Sequence, residues 1–441
     1  MQQSIVQKSE HFDVIISGGG LAGASMALAL AGLRNSQGEP LSIAVIEAGR
    51  IVENLPCSFD ARVIALANGS AAYLQQLDAW QVIKPHAMAI NNIHISDRGH
   101  YGKARLYSDD YDTDALGYVV EMQAIGNGLY KALGAYNNVR FIAEHRITEI
   151  TWQKNQVDVE LQHQAVGEQL DKSQGSNTLS NAEPSNADCL NDASATQSLG
   201  QHISAQLLLA CDGGQSVCRQ KAAIDSSLYD YQQVAIIANV MCDKAHNGRA
   251  FERFTDSGPL AMLPMTEDRC SLVWTVKPDQ VEQLLALDDN GFAAQLQQHF
   301  GGWLGSIGKV GKRFSFPLKL VRANSSIYHR MALVGNASHT LHPIAGQGFN
   351  LGVRDVKQMA SLIAKALATG QDIGNFALLQ DYSQHRQKDH DQVISLTDSM
   401  VHLFSNDYLP LAIGRGIGLK VLNYLSPLKQ QLARKTMGHI D

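Results

Sequence analysis

Three stretches of the chain predict an α/β protein. A parallel-sheet, Rossmann-like domain is interleaved with a mostly antiparallel second domain, and the C-terminus is helical. The first stretch is "FDVIISGGG" (12–20), "LAGASMALALAGL" (21–33) and "LSIAVIEAG" (41–49), a buried strand, a small-residue helix and a second buried strand. The second is a set of alternating or apolar runs at 233–241, 260–264 and 270–276, the pattern of an antiparallel sheet. The third is "MALVGNA", which returns to the first domain, after which the periodicity from about 349 onward is helical to the end.

Between these anchors the elements follow in order. Residues 51–120 carry mixed signals. "VVEMQAIGNGLYKALGAY" (119–136) has helical spacing in its second half, and 140–162 reads as strands. "GEQLDKSQGSNTLSNAEPSNADCLNDASATQSLGQ" (167–201) is Ser-, Asn-, Asp- and Gln-rich with almost no large apolar residue. It reads as a disordered insertion between two paired strands. "HISAQLLLACDGG" (202–214) resumes the sheet. The first domain therefore takes 1–80, 100–162, 202–225 and 330–400, and the second takes 81–99 and 226–329. The insertion spans 163–201, and basic helices occupy 401–441.

At 441 residues the chain exceeds one ordinary core, in keeping with two domains. With 45% hydrophobic residues, 18% charged and a net charge of −6, it is an ordinary globular composition and argues against a nucleic-acid binder. Cysteines at 57, 189, 211, 218, 242 and 270 form no CxxC and no metal-ligand spacing, so reduced thiols in a cytoplasmic protein are expected. Cys211 and Cys218 read as small core residues, and Trp274 as core or pocket wall. The apolar run at 14–33 is not read as a signal peptide, because three consecutive glycines break the helix such a signal needs.

Gly18, Gly20 and Gly23 form GxGxxG at the strand-to-helix turn, with an acid, Glu47, near the end of the second strand. Gly18 allows the tight turn, Gly20 lets backbone approach a pyrophosphate, and Gly23 lets helix and sheet pack closely. The helix N-terminus offers free N–H groups to phosphates, and Glu47 accepts from a ribose diol. This addresses a dinucleotide without deciding which. A second glycine-rich crossing, "LVGNASHTLHPIAGQGFNLGVRD" (333–355), has the bare composition of a loop lying against a large ligand.

With "ACDGGQSVCR" (210–219), these segments resemble the FAD-dependent aromatic hydroxylases, the group A flavin monooxygenases. "FDARVIALANGS", "IHISDRGHYG", "ALGYVVE", "RAFERFTDSGPLAMLPM" and "GNASHTLHPIAGQGFNLGVRD" are similar to the ubiquinone-biosynthesis hydroxylases, in particular those acting on polyprenyl methoxyphenols. The resemblance implies that FAD is held by Gly18, Gly20, Gly23, Glu47, Arg62, Asp212, Gly213, Asn336, Gly348 and Asn350. It places Arg62 near the phosphates and Asp212 near the flavin–nicotinamide interface. Asn336 stands where the superfamily has an acid; an amide still bonds a ribityl hydroxyl. The catalytic loop would carry His342, Pro343 and Gly346. NADPH or NADH would reduce the flavin, which would react with O2 to a C4a-hydroperoxide that hydroxylates the phenol ring. The alternatives are a hydroxylase of another ring position in that pathway and a flavin-binding scaffold of the biosynthetic complex.

His339 and His342 invite a general-base reading, but a loop histidine is more often a satisfied hydrogen-bonding residue. From Tyr408 to Ile440 the chain has Arg415, Lys420, Lys429, Arg434 and Lys435 and no acid. That stretch is either a solvated face or a surface for anionic lipid or an acidic partner, including other quinone-biosynthesis enzymes at the inner membrane face.

Overall fold

The computed structural model describes residues 10–50, 59–99, 103–164, 201–340, 347–404 and 437. Its first sheet contains a parallel core in the order Met331–Leu333, Gln201–Ala210, Glu10–Ser17, Ile43–Glu47, Val139–Ala143. These strands are near-continuous apolar runs because both sheet faces are covered. On one face Val14 and Ile16 pack with Met26 and Leu30 of helix Leu21–Ala31 and with Val356 and Ile363 of helix Gln347–Ala368. On the other, Ile15 and Leu208 pack with Val157 and Val159. The long helix Phe376–Phe404 is tied to this sheet where the Tyr382 hydroxyl donates to the Leu333 carbonyl at 3.0 Å.

The second sheet has nine strands among the described residues. The three runs read from the sequence lie in strands Ser226–Cys242, Gly258–Pro264 and Arg269–Val276, which pair antiparallel. One face is covered by helices Pro278–Ala286 and Asp289–Phe300, whose Leu284, Phe292 and Phe300 pack with Trp274, Leu260 and Phe251. Trp274 thus belongs to the core. These two helices were not anticipated by the pattern of the segment.

The domain boundaries differ from the sequence-based expectation in one region. Strand Lys103–Tyr107, expected in the first domain, pairs antiparallel with Asn92–Asp97 and so extends the second sheet. Its strict alternation of exposed and buried residues suits the edge of a one-sided sheet. Conversely, Ile83, expected in the second domain, is buried in the core of the first beside Trp80. Ala87–Ile90 joins Gly117–Glu121 and Val63–Ala67 in a small three-stranded sheet. A buried pair, Arg269 to Glu121 at 3.0 Å, ties the second sheet to this small one.

Residues 165–200 of the polar insertion lie outside the described residues, while its expected end positions, His163 and Gln201, belong to strands. Strands Val157–His163 and Gln201–Ala210 pair antiparallel, with Leu161 opposite Gln201, so the two ends of the insertion are already adjacent. Removing residues 168–200 and closing the gap with a short turn should therefore leave flavin content and melting temperature nearly unchanged, since loop-closure entropy varies slowly with length. Thermal melts and flavin absorbance of the two proteins check this. A large loss of flavin would refute it.

Candidate cofactor site

The carboxyl ends of the parallel strands bring three distant segments together, the usual ligand position of an open α/β sheet. Ser17 leads into the glycine turn. Gly18 has φ +95°, and a Cβ there would stand 2.6 Å from the Cys211 carbonyl oxygen, so only glycine lets the turn cross the neighbouring strand end. A Cβ on Gly23 would lie 1.8 Å from the Gly18 carbonyl oxygen. The close approach foreseen for Gly23 is thus made chiefly to the turn itself. Gly20, with φ −62°, caps helix Leu21–Ala31, and its Cβ direction is empty to 4 Å. The first-turn N–H groups of that helix have no intrahelical acceptor and form a positive end beside this space.

Glu47 closes the turn from the second strand. Its Oε2 accepts from the Gly19 N–H at 2.6 Å and its Oε1 from the Gly49 N–H at 2.9 Å. The remaining lone pairs are free to meet a ribose diol. The Tyr130 hydroxyl donates to the Gly19 carbonyl at 2.6 Å, and burial with the nearby Glu47 charge pushes that hydroxyl up to about 12. Tyr130 was not singled out from the sequence.

The second segment follows Ala210. Asp212 Oδ2 accepts from the Cys218 N–H at 3.1 Å, whereas its buried Oδ1 has no partner among the described residues. Gly213 has φ +81° and open space at its Cβ position. Ser216 caps helix Val217–Lys221 by accepting from the Arg219 N–H at 3.0 Å. Buried Arg219 then donates to the Gly214 and Ala337 carbonyls, each at 2.8 Å, and ties the second segment to the third.

The third segment turns at Gly335–Ala337. A Cβ on Gly335, φ +60°, would lie 3.4 Å from Ala22 Cβ, and one on Gly352 would lie 3.3 Å from Gly335 Cα. The first helix, this turn and helix Gln347–Ala368 are thus in backbone-close contact. Asn336 is exposed within the turn, and Gly348, in the first turn of the helix, has empty space at its Cβ position. Asn350 departs from its expected cofactor role. Its Nδ2 donates to the Ala65 carbonyl and its Oδ1 accepts from the Ala67 N–H, both at 2.8 Å, so its amide clamps the helix to strand Val63–Ala67. Arg62, at the foot of that strand, is exposed, with its guanidinium 3.6 Å from Met122 Sδ. The residues expected to be catalytic, His342, Pro343 and Gly346, lie outside the described residues, as does 405–441 apart from Met437. Met437 packs on Leu106 and Leu116.

A buried ionic network supports the turn from behind. Asp355 Oδ2 accepts from the Gly335 N–H at 2.9 Å, while Oδ1 takes Arg386 Nε at 2.5 Å and His390 Nε2 at 3.0 Å. Burial alone would raise the Asp355 carboxyl, but Arg386 and His390 outweigh it and hold it below the usual carboxylate range. Arg386 also reaches Asp389 at 2.6 Å, which accepts from Arg354 at 2.8 Å. His339 contradicts the expectation of a satisfied loop histidine. It is fully buried against His390 with neither ring nitrogen bonded, and burial lowers it to about 3, so the ring is neutral. Cys211 and Cys218 are buried free thiols pushed up by burial, as expected of core residues.

The open positions at Gly20, Gly213 and Gly348, the unpartnered Asp212 oxygen and the helix N-terminus beside Glu47 together fit an extended dinucleotide with a flat head group. The fold and site define a flavoprotein of the FAD-binding α/β class. The chain belongs to the FAD binding domain family, which matches it over residues 11–397. It is 34% identical over 431 residues to the ubiquinone hydroxylase UbiL of Rhodospirillum rubrum, covering 97% of this chain and 89% of that one. It is 28% identical over 459 residues to the human mitochondrial ubiquinone biosynthesis monooxygenase COQ6, covering 96% of this chain and 91% of that one. Among solved structures, p-nitrophenol 4-monooxygenase PnpA of Pseudomonas putida shares the fold, with a TM-score of 0.73 at 17% identity over 97% of this chain and 99% of that one.

Proposed function

We propose that this protein is an FAD-dependent monooxygenase that hydroxylates the ring of a polyprenylated methoxyphenol in ubiquinone biosynthesis, using NAD(P)H and O2. The observation that carries the reading is the convergence of three motif segments at the carboxyl ends of the parallel strands, in a chain related along nearly its whole length to ubiquinone hydroxylases. Gly20 and the first turn of helix Leu21–Ala31 would hold the pyrophosphate, Glu47 the adenosine ribose, and Arg62 a phosphate. Asp212, Gly213, Asn336 and Gly348 would line the ribityl and ring portion. Bound FAD supplies the redox chemistry, taking electrons from the nicotinamide and passing them to O2.

The chain's own work is to position and to exclude water. Arg219 and Asp355 fix the Gly335–Ala337 turn from two sides, which sets where the ring portion rests. The positive N-terminal end of helix Gln347–Ala368 favours negative charge on the adjacent ring system, and so its reduced state. The reaction requires water to be excluded from the site, since a wet site diverts oxygen to hydrogen peroxide. Among the described residues no helix is long and apolar enough to cross a membrane. Access to a lipid-borne substrate is assigned to the basic stretch 408–440, as a contact with anionic lipid or with partner enzymes.

The test supplies purified, FAD-loaded protein with NADPH or NADH and a short-chain prenyl methoxyphenol. NAD(P)H oxidation should accelerate on adding the phenol, and mass analysis should show one added oxygen on the ring. Flavin binding with no phenol-dependent oxidation would favour a scaffold and overturn the reading.

A further inference from the structure

The second sheet has a helix-covered face and an opposite one. On the opposite face Ile95, Glu252, Ala261, Val273, Ile237 and Phe314 stand side by side in register across six strands. All six are half-buried, so this row borders accessible space and is not packed into the core. Five are apolar. The sixth, Glu252, has no hydrogen bond or ion pair among the described residues.

Two attachments relate this face to the cofactor segments. At one side, His339–Thr340 pairs as a short strand with Val321 and Arg322 of Phe314–Ala323. At the other, Ile93, Ala250 and Leu263 of the same face pack against Val63, Ile90 and Val119 of the three-stranded sheet. Asn350 clamps that small sheet to helix Gln347–Ala368. Both sides of the sheet that carries the row are therefore joined to elements that also hold the cofactor segments.

We infer that Glu252 is the catalytic base that accepts the phenol proton of the substrate, with the apolar row as the wall against which the ring and the start of its prenyl chain lie. This rests on the hydroxylase reading above. The phenol O–H bond breaks, a new O–H bond forms on the Glu252 carboxylate, and the electron pair stays on the phenol oxygen. That pair delocalises into the ring and makes the carbons ortho and para to it better nucleophiles for electrophilic oxygen. When the ring regains aromaticity, the C–H bond at the hydroxylated carbon breaks, its electron pair enters the ring and its proton leaves to solvent, while the proton held by Glu252 returns to the phenol oxygen.

Burial pushes the Glu252 carboxyl up to about 7, where it is both substantially ionised and basic enough to take a proton. In register on this face, the nearby charged groups are Asp97, paired with Phe254 on the adjacent strand, and Arg269, which is tied to Glu121. An unpaired carboxylate on an otherwise apolar wall serves no evident structural purpose, since burying it without a partner is unfavourable.

The test compares wild type with Glu252→Gln and Glu252→Asp, all FAD-loaded. Wild-type kcat should rise with pH through a midpoint near 7. Glu252→Gln should lose about 100-fold in kcat, the lower range for a general base, and should lose that ascending limb. Glu252→Asp should keep the limb at reduced rate. Phenol binding, read from the perturbed absorbance of oxidised flavin, should stay close to wild type in both variants, which separates proton transfer from damage to the wall. A Gln variant with wild-type kcat and an unchanged limb would overturn the assignment, as would a wild type with no limb in this range. A wild type that does not hydroxylate the phenol at all would instead remove the functional reading on which the assignment stands.

Discussion

Asp355→Ala should lower the melting temperature by several degrees and strip most of the FAD. Asp355 is completely buried and is the shared acceptor of Arg386, His390 and the Gly335 N–H. Among the described residues, removing it leaves the buried Arg386 guanidinium with Asp389 and a long contact to the Leu351 carbonyl at 3.5 Å. Orphaning half of a buried ion pair typically costs about 3–5 kcal/mol, because the remaining charge keeps its desolvation penalty without its partner. The Gly335 N–H loses its acceptor as well, so the Gly335–Ala337 turn is released on the side that faces the cofactor segments.

Asp355→Asn separates the two consequences. An amide oxygen can still accept from Gly335, so FAD content should recover toward wild type while the melting temperature stays depressed by the lost charge. Differential scanning calorimetry at saturating FAD, with flavin absorbance per protein, reads both quantities. An Ala variant that melts like wild type and stays yellow would show that the network is incidental to the turn.

The fingerprint was legible because its physics is local. A strand, three glycines at fixed spacing, a helix and a second strand with an acid are all set within about forty residues, and each glycine has a steric or ligand reason. The antiparallel sheet was legible from period-two runs, and the insertion from its composition. What stayed hidden depends on segments that meet only in space. Arg386, Asp389 and His390 fall at helical spacing, which says they share a face but not that Asp355 lies opposite. Asn350 lies inside a stretch whose composition suggested cofactor contact, yet its amide turns to the backbone of Val63–Ala67. Glu252 was visible within "RAFERF" as one more charge in an alternating strand. Only the register with Ile95, Ala261 and Val273 reveals that its neighbours on that face are apolar. Lys103–Tyr107 went to the wrong domain because an edge strand carries the same alternation wherever it is paired.

Gly20→Val should give protein that is folded and colourless. The backbone at Gly20, φ −62°, is one that valine adopts without strain, and the added Cβ would meet no protein atom within 4 Å. The apoprotein should therefore melt close to wild-type apoprotein, with any loss of glycine's freedom in the unfolded chain acting in its favour. The branched side chain fills the space beside the first turn of helix Leu21–Ala31, where the pyrophosphate would approach the free N–H groups, so FAD cannot come within hydrogen-bonding distance. Gly23→Val is the contrasting variant. Its Cβ would stand 1.8 Å from the Gly18 carbonyl oxygen, so it should fail to fold whether or not cofactor is present. FAD released on denaturation, measured per protein and distinguished from FMN by chromatography, together with apoprotein melts, decides the matter. Stoichiometric FAD in Gly20→Val would move the pyrophosphate away from the glycine turn, and a collapsed Gly20→Val apoprotein would mean that the space at Gly20 is not open.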